Sequence, residues 1–310
     1  MDRVGDVMDG RRTALLYLVL AALWGSSFVG VKVALDAFSP VFLAAVRFSI
    51  SAVVLFAATA LTGRRVRPRG AGDWAPIVTG GVFIIGVHNA LLFAGQQYVP
   101  SAVASTLLGL IPILTPAVNR FVRPDQRLSR QAVLGLGAGF LGVVLIADPD
   151  PANLLADVRG IGFVFASAVT FVLGAVLTRE TEASLSSLAL QSWMALLGSS
   201  VLLVAVPFLP GESFAAAWSP AVTGWVLYLS LVPGALGFFL YFHLLDRLGP
   251  VQMGLLEYVI PPFAALFGWL VRAEPLSPST VYGFFAILVG FLLLKGGSLR
   301  AALRARRSRN

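Results

Sequence analysis

The sequence predicts an all-α, polytopic membrane protein, in which ten transmembrane helices form two inverted five-helix repeats and both termini are cytoplasmic. Three observations support this prediction: the composition, the distribution of arginine and an internal repeat. Of the 310 residues, 57% are hydrophobic and only 12% are charged, whereas soluble globular chains carry about 25% charged residues. So much apolar surface requires contact with lipid.

Ten apolar runs alternate with short polar gaps, and most reach the roughly 20 residues that cross the hydrocarbon layer of a bilayer. The fifth run is among the shortest, and its four glycines allow a neighbouring helix to approach closely in lipid. The ten runs cover approximately residues 13–35, 40–61, 74–96, 100–119, 131–147, 161–178, 187–208, 222–245, 251–271 and 280–295.

The lysines and arginines in the gaps predict the orientation, because positively charged loops remain in the cytoplasm. When the gaps are assigned alternately to the two sides, nineteen of these residues fall on one side and only Arg159 and Arg272 on the other. The basic side includes both ends of the chain, as an even number of spans requires. We therefore expect a multi-pass protein of the inner (cytoplasmic) cell membrane, with cytoplasmic basic tails at residues 1–12 and 298–310.

The second half of the chain repeats several positions of the first at offsets of 150 or 148 residues. Each half, 13–147 and 159–297, holds five runs, and an odd number of spans inverts the second copy. Inverted repeats place a binding site near the midplane, between the copies. The matched pairs are Pro100 and Pro250, Pro112 and Pro262, Gly135 and Gly283, and Gly142 and Gly290.

Short motifs occur in order along the chain: Leu-Trp-Gly-Ser-Ser-Phe at 23–28, Ala-Val-Arg-Phe at 45–48, and Pro-Phe-Ala-Ala-Leu-Phe-Gly-Trp-Leu at 262–270, followed by Glu-Pro-Leu-Ser at 274–277. With Pro112 they resemble the drug/metabolite transporter superfamily, specifically its EamA-type ten-span carriers, over about residues 13–297. The resemblance implies a central cavity lined by both halves, and export of small metabolites, often amino acids, by a secondary mechanism. Gln126 departs from the glutamate frequent there, and Glu257 lies outside the family pattern.

Glu257 is the first candidate for a substrate-binding residue. It lies about seven residues into the ninth run, roughly 10 Å deep at 1.5 Å per residue. A charged carboxylate near the bilayer centre costs about 2.5–3.5 kcal/mol on insertion scales, so it needs a wet cavity, a cation or a proton. Glu257 is therefore either a site for proton coupling or for a substrate amine, or an acid that is hydrogen-bonded inside the bundle.

Other candidates for the cavity are polar or aromatic residues within the runs. Arg47 can bind a substrate carboxylate in bidentate fashion or, alternatively, backbone carbonyls. Trp24 heads a run of small residues, 25–27, that we expect to leave room for a ligand. Aromatic rings suit apolar groups and ammonium ions, although packing against lipid or protein is the alternative for each of them. The remaining candidates are Tyr258, His88, Asn89, Phe93, Trp193 and Tyr241.

Pro112, Pro261 and Pro262 interrupt the fourth and ninth runs. Each proline removes an amide donor and frees a carbonyl group one turn back, and membranes tolerate such breaks where they line protein or water. They are candidate hinges for alternating access, with a static kink as the alternative.

The sequence thus favours a secondary transporter that exports small metabolites, such as amino acids or amphipathic amines, by alternating access with proton coupling. An uncoupled facilitator or exchanger is the second hypothesis, and an intramembrane enzyme the third. Because the chain has no cysteine, only two separate histidines and no phosphate-binding loop, we expect no catalytic activity, cofactor or metal. The expected partners are a small-molecule substrate and the lipid bilayer, but no nucleic acid. The oligomeric state stays open, and a monomer is compatible with the sequence.

Overall fold

The computed structural model describes residues 2–122, 130–147, 154–179, 181 and 183–307, and this part of the chain is helical without any strand. A π-helical segment, Gly80–Val87, joins α3 to α4, a second one, Ser230–Leu236, joins α10 to α11, and a 3-10 turn, Val206–Phe208, follows α9. The helices are α1 (Asp2–Leu35), α2 (Pro40–Leu61), α3 (Ala71–Thr79), α4 (His88–Gln96), α5 (Ser101–Leu108), α6 (Ile111–Val122), α7 (Arg130–Ala147), α8 (Leu154–Arg179), α9 (Ser187–Ala205), α10 (Pro220–Leu229), α11 (Gly237–Leu248), α12 (Pro250–Met253), α13 (Leu256–Arg272) and α14 (Pro278–Arg307).

Within these described residues, six helices are long and apolar enough to cross a membrane, and a seventh span results if α5 and α6, bent by 44°, are taken as one. Two further apolar helices, Val133–Ile146 and Pro278–Leu294, are shorter. The chain is therefore a multi-pass helical membrane protein. The count of ten spans and the cytoplasmic termini stay predictions. The six helices are Arg12–Leu35, Pro40–Leu61, Ala71–Gln96, Val158–Arg179, Ser187–Phe208 and Pro220–Leu245.

The two π-helical segments occupy equivalent places in the two halves, since Gly80 and Ser230, at which they begin, are 150 residues apart. A π-helical turn leaves backbone carbonyls without their usual partners and often marks a functional site. Side chains bind some of these carbonyls here. The Nδ2 amide of Asn89 donates to Ile84 and Ile85 at 3.1 and 3.0 Å.

Helices pack mainly across the boundary between the halves. The first helix of the first half, α1, packs on α13 and on α10 and α11, and its counterpart α8 packs on α4 and on α5 and α6. Helices α2 and α9 form a central pair, and α7 and α14 a peripheral one. Each half therefore packs mainly against the other, and a site at the centre of the bundle is lined by helices of both halves.

Glycines bring α7 and α14 into backbone contact. A Cβ atom on Gly135 would lie 2.7 Å from the carbonyl oxygen of Gly290, and one on Gly142 would lie 2.7 Å from that of Gly283. Seven residues forward along α7 thus correspond to seven residues back along α14, so the two helices are antiparallel. Such close contact stabilises helix pairs in lipid, where no hydrophobic driving force acts between them.

One acid from each half holds the start of the other half's second helix. Glu212, which precedes α10, accepts hydrogen bonds from the amides of Val41 and Phe42 in the first turn of α2, at 3.0 and 3.3 Å. Asp73 in α3 accepts them from Ser184 and Leu185, just before α9, at 2.7 and 3.2 Å. Amide groups at a helix start have no partner within the helix, and Glu212 supplies one for α2, whereas Asp73 binds the amides of the two residues that lead into α9. We refer to these contacts as the crossed caps.

Candidate functional site

Aromatic side chains of α1 and α11 meet near the broken start of α13. Tyr17 and Trp24 are seven residues apart on α1 and therefore share one face. The Trp24 ring stacks on Tyr241 with 5.4 Å between centroids and meets the edge of Phe238 at 5.9 Å. Its Nε1 donates a hydrogen bond of 3.1 Å to the carbonyl of Pro233, in the second π-helical segment. This bond fixes the indole ring in place.

Glu257 is the second residue of α13, directly after the break that separates it from α12. Its side chain is half-buried and, among the described residues, forms no hydrogen bond or ion pair. It lies close enough to Tyr17, Tyr241 and Tyr258 to act on them electrostatically. A carboxylate in the first turn of a helix is favoured by the helix dipole, which explains how the fold accommodates an unpaired acid. We call Tyr17, Trp24, Tyr241 and Glu257 the acid cluster.

Tyr258 points elsewhere, as expected for adjacent residues on a helix, whose directions differ by about 100°. Its hydroxyl donates a hydrogen bond of 2.8 Å to the carbonyl of Gly109, and its ring contacts Phe291 at 4.7 Å. Gly109 lies in the break between α5 and α6. Tyr258 therefore links the interrupted helices of both halves and is not a wall of the acid cluster.

Arg47, on α2, lies in a second cluster. Its side chain is buried, with 8% of the residue exposed, and its Cζ atom is 5.2 Å from the centroid of the Phe48 ring and 5.7 Å from that of Phe93. In the described part of the chain the guanidinium forms no ion pair or hydrogen bond, and its buried Nε has no partner. We call Arg47, Phe48, Phe93 and the neighbouring His88 the arginine cluster.

His88 belongs to this cluster through its charge interaction with Arg47. Its Nδ1 is 3.0 Å from the carbonyl oxygen of Ser167 on α8, and its ring meets the edge of Phe171 at 5.1 Å. A carbonyl oxygen can only accept, so Nδ1 carries the proton. His88 thus connects α4 to α8 and supplies no negative charge to Arg47.

The structure does not bring all the predicted site residues together. The amide of Asn89 is engaged by the first π-helical segment, as described above. Trp193 donates from Nε1 to the carbonyl of Val66 at 2.8 Å and packs edge-on against Phe56 and Trp74, and it joins neither cluster. The space beside Gly25 is also not free for a ligand: a Cβ atom there would lie 2.6 Å from Cβ of Phe263. At Gly25 the expectation of free space was wrong, because α13 packs against this residue.

The candidate hinge prolines lie beside the breaks and not in them. Pro112 is the second residue of α6, directly after the break, whereas Pro261 and Pro262 lie inside α13, several residues past its start. Helices α5 and α6 are bent by 44° relative to each other. The hinge assignment stays a prediction.

At the C-terminal ends of α1 and α13, Glu274 holds three helices together. Its carboxylate lies 3.2 Å from Nζ of Lys32 and accepts a hydrogen bond of 2.8 Å from the amide of Ser101 at the start of α5. We call these contacts the Glu274 network. Beside it, Arg272 pairs with Asp36 at 2.6 Å. The Glu274 network and the Arg272–Asp36 pair hold this end of the α1–α13 interface together, whereas the acid cluster lies at the other end.

Two residues with contacts of interest, Tyr17 in the acid cluster and Gln96 outside both clusters, were not predicted from the sequence. Tyr17, which donates to the carbonyl of Gln252 at 3.0 Å, can be found by its seven-residue spacing from Trp24. Gln96 donates from Nε2 to the carbonyl of Phe28 at 2.9 Å, while its buried Oε1 has no partner in the described part. An amide near the end of an apolar run gave no signal that distinguished Gln96 from a residue at the membrane surface.

Comparisons with known proteins identify the family. Residues 11–147 and 158–295 each match the model of the EamA-like transporter family. An uncharacterized transporter of Archaeoglobus fulgidus is 28% identical over 282 residues, 90% of this chain and 98% of that protein. The uncharacterized inner membrane transporter YedA of Escherichia coli K12 is 23% identical over 261 residues, 83% of this chain and 82% of that protein.

A further relative, described as a probable terminal-alkyne amino-acid exporter, comes from Streptantibioticus cattleyicolor and is 27% identical over 92% of this chain and 94% of its own length. A solved crystal structure has the same fold, with a TM-score of 0.62 and 22% identity, over 91% of this chain and 97% of the other. The chain is thus built from two copies of one transporter unit and is not an enzyme: it belongs to the EamA-like transporter family.

Proposed function

We propose that this protein is a secondary transporter of the cell membrane that exports small metabolites, amino acids or amphipathic amines, by alternating access coupled to protons at Glu257. The observation that carries the proposal is the half-buried carboxylate of Glu257, which has no hydrogen bond or ion pair among the described residues. Intramembrane acids are rare and mark substrate or proton pathways. A carboxyl group that is unpaired in the protein is available to bind either a proton or a cationic substrate.

The acid cluster has the chemistry to bind an ammonium group. An aromatic face attracts a cation, most strongly when the ring is an indole and water is excluded. Trp24 and Tyr241 form a stacked pair, and Glu257 adds the negative charge. The resemblance to a protein named as a probable amino-acid exporter agrees with an amine-bearing substrate.

The contacts between α7 and α14 support the inverted arrangement of the repeats. Under the 148-residue offset, Gly135 corresponds to Gly283, and Gly142 to Gly290. The contact between Gly135 and Gly290 therefore maps onto the contact between Gly283 and Gly142. This pair of contacts is the one expected if a two-fold axis perpendicular to the helices relates the halves, as in an inverted repeat. Together with the charge distribution, it supports our proposal of ten spans with cytoplasmic termini.

Flux in proteoliposomes tests proton coupling. Purified protein is reconstituted, and the transport of labelled amino acids and amines is measured with and without a pH gradient between pH 5 and 8. We expect a gradient to accelerate the wild type. We expect Glu257→Gln to abolish this acceleration, because the amide does not exchange a proton.

The control variant is Asp9→Asn, which removes a carboxylate from the N-terminal tail and leaves the gradient effect intact. Equal wild-type rates with and without the gradient would refute coupling and favour the facilitator or exchanger. A Glu257→Gln variant that responds to the gradient like the wild type would remove Glu257 from the mechanism.

A further inference from the structure

Arg47 is a buried cation for which the described chain provides no counter-ion. With 8% of the residue exposed, its charge is largely removed from water, and a buried charge without a partner is strongly unfavourable. Two other cations that are partly buried have a partner: Lys32 lies 3.2 Å from Glu274, and Arg65 lies 2.9 Å from Asp73. No described residue supplies an anion at Arg47, which leaves the guanidinium available to an anionic ligand.

Two aromatic rings lie beside the guanidinium of Arg47. The rings of Phe48 and Phe93 lie 5.2 and 5.7 Å from Cζ, and a guanidinium over an aromatic ring can still donate from its in-plane N–H groups. Those donors form the fork that matches the two oxygens of a carboxylate. His88, the nearest titratable group named by the contacts, donates its Nδ1 proton to Ser167 and competes for no anion.

A second unsatisfied atom belongs to α4, the helix that also carries Phe93. Among buried side-chain nitrogen and oxygen atoms in the described part, two lack a partner: Nε of Arg47 and Oε1 of Gln96. Gln96 follows Phe93 by three residues on α4, which places the two on one helix face about 5–6 Å apart at Cβ. Because Nε2 of Gln96 is held by the carbonyl of Phe28, Oε1 stays free to accept. A free donor and a free acceptor complement a ligand that carries a carboxylate and a nearby ammonium group.

We propose that Arg47 and Gln96 form a carboxylate-binding subsite for the substrate, separate from the acid cluster. Arg47 binds the carboxylate, and Oε1 of Gln96 accepts a hydrogen bond from an adjacent ammonium group. The inference rests on the proposed transport function and narrows its substrate to small molecules with a carboxylate. If Arg47 binds the carboxylate of the substrate, an amine that has no carboxylate binds less tightly than an amino acid.

Binding of three probes with the same apolar body tests the subsite. The thermal midpoint of the purified full-length protein is titrated with L-phenylalanine, 3-phenylpropionate and 2-phenylethylamine in a buffer of methanesulfonate salts, with sodium chloride as a separate arm. We expect both carboxylates to stabilise the wild type. Arg47→Gln weakens their apparent Kd on the order of 10-fold to 100-fold, the effect of losing a charged hydrogen-bonded pair, and leaves the amine unchanged.

Two further variants keep the test decisive if Arg47→Gln does not fold. Arg47→Lys retains the charge without the fork and gives an intermediate affinity for both carboxylates. Gln96→Met weakens phenylalanine but not phenylpropionate, which has no ammonium group. The matched control is Arg159→Gln, because Arg159 also lies over two rings, 5.0 Å from Tyr98 and 5.6 Å from Phe163, but is exposed. This variant binds all probes like the wild type.

Three results would each overturn the subsite. The first is that neither carboxylate stabilises the wild type, and the second is that both Arg47 variants bind the carboxylates with wild-type affinity. The third is that sodium chloride alone raises the thermal midpoint as much as the carboxylates do. Flux in proteoliposomes separates this failure from failure of the proposed function. If phenylethylamine is transported and the carboxylates do not bind, the transport function is supported and the subsite is refuted. If the carboxylates bind through Arg47 and no probe is transported, the subsite is supported and the transport function is refuted.

Discussion

Tyr258 joins the interrupted helices of the two halves through one hydrogen bond. Its hydroxyl is buried and donates to the carbonyl of Gly109, a group that the break between α5 and α6 leaves without a helical donor. Because both partners are shielded from water, loss of the hydroxyl leaves a buried acceptor unsatisfied. A side chain that the sequence offers as a wall of the cavity is therefore a link between helices.

We expect Tyr258→Phe to lower the free energy of unfolding by about 1 kcal/mol, with a lower thermal midpoint in detergent. The control is Tyr282→Phe, since Tyr282 is 64% exposed and no hydrogen bond from it is seen in the described part. That variant keeps the wild-type midpoint. Equal midpoints for Tyr258→Phe and the wild type would show that the bond to Gly109 contributes nothing to stability.

The sequence supports some of these residue assignments and not others. Glu257 can be identified without a structure, because a carboxylate inside an apolar run conflicts with its surroundings. Arg47 stands out for the same reason. Trp193 and Asn89 are polar or aromatic residues in the middle of runs as well, but only tertiary packing determines which face of a helix meets the centre. Their partners, Val66 and the first π-helical segment, lie in positions that no local pattern reveals.

At the scale of elements, α7 and α14 show how glycine spacing determines a helix pair. The backbones touch at Gly135 and Gly142, whereas a Cβ atom added to Gly137 on the same helix would have no neighbouring heavy atom within 4 Å. The same residue type therefore has two roles within one helix. Only the two glycines that recur in the second half are required by the contact.

We expect Gly142→Ala to destabilise the protein by about 1–3 kcal/mol, as overpacking does in tight interfaces. The new methyl group would lie 2.5 Å from Cγ1 of Ile287 and 2.7 Å from the carbonyl oxygen of Gly283, so the helices must separate. Gly137→Ala, with the same chemical change in open space, keeps or raises the thermal midpoint. A midpoint for Gly142→Ala that matches Gly137→Ala would contradict the close contact.

The helix breaks illustrate what sequence reasoning predicts about elements. A proline clashes with the carbonyl four residues before it, and the break between α5 and α6 lies within that distance of Pro112. The break before α13 is different, because it ends at Leu255, six residues before Pro261. The prolines thus indicate which spans are interrupted, but the site of the second interruption depends on tertiary contacts such as the bond from Tyr17 to Gln252.

At the scale of the whole molecule, the Glu274 network ties α1, α5 and α13 at one end of the bundle. Alternating access requires that such contacts at one end separate while those at the other end close. Because one carboxylate contacts both Lys32 and Ser101, its loss releases two helices at once. The exposed pair of Arg272 and Asp36 contributes less, since solvent-exposed ion pairs are worth about 0–1 kcal/mol.

We expect Glu274→Gln to shift the protein towards the state that is open at this end. The chain contains no cysteine, so Ala102→Cys introduces a single thiol beside Ser101, at a position that is now 6% exposed. A membrane-impermeant maleimide labels this thiol several-fold faster in Glu274→Gln than in the parent, and Asp36→Asn changes the rate less. Equal labelling in all three proteins would show that the Glu274 network does not restrain opening.

The crossed caps have a consequence for the order in which the chain is made. The amide of Val41 is bound by a residue 171 positions later, so α2 is synthesised long before its partner Glu212 leaves the ribosome. The start of α2 therefore lacks this partner until α8 and α9 have been made, whereas Asp73 is synthesised before α9. If the two halves were expressed as separate polypeptides, each would need the other to complete these contacts. We expect the first half alone to remain incompletely folded and to be degraded by membrane quality control.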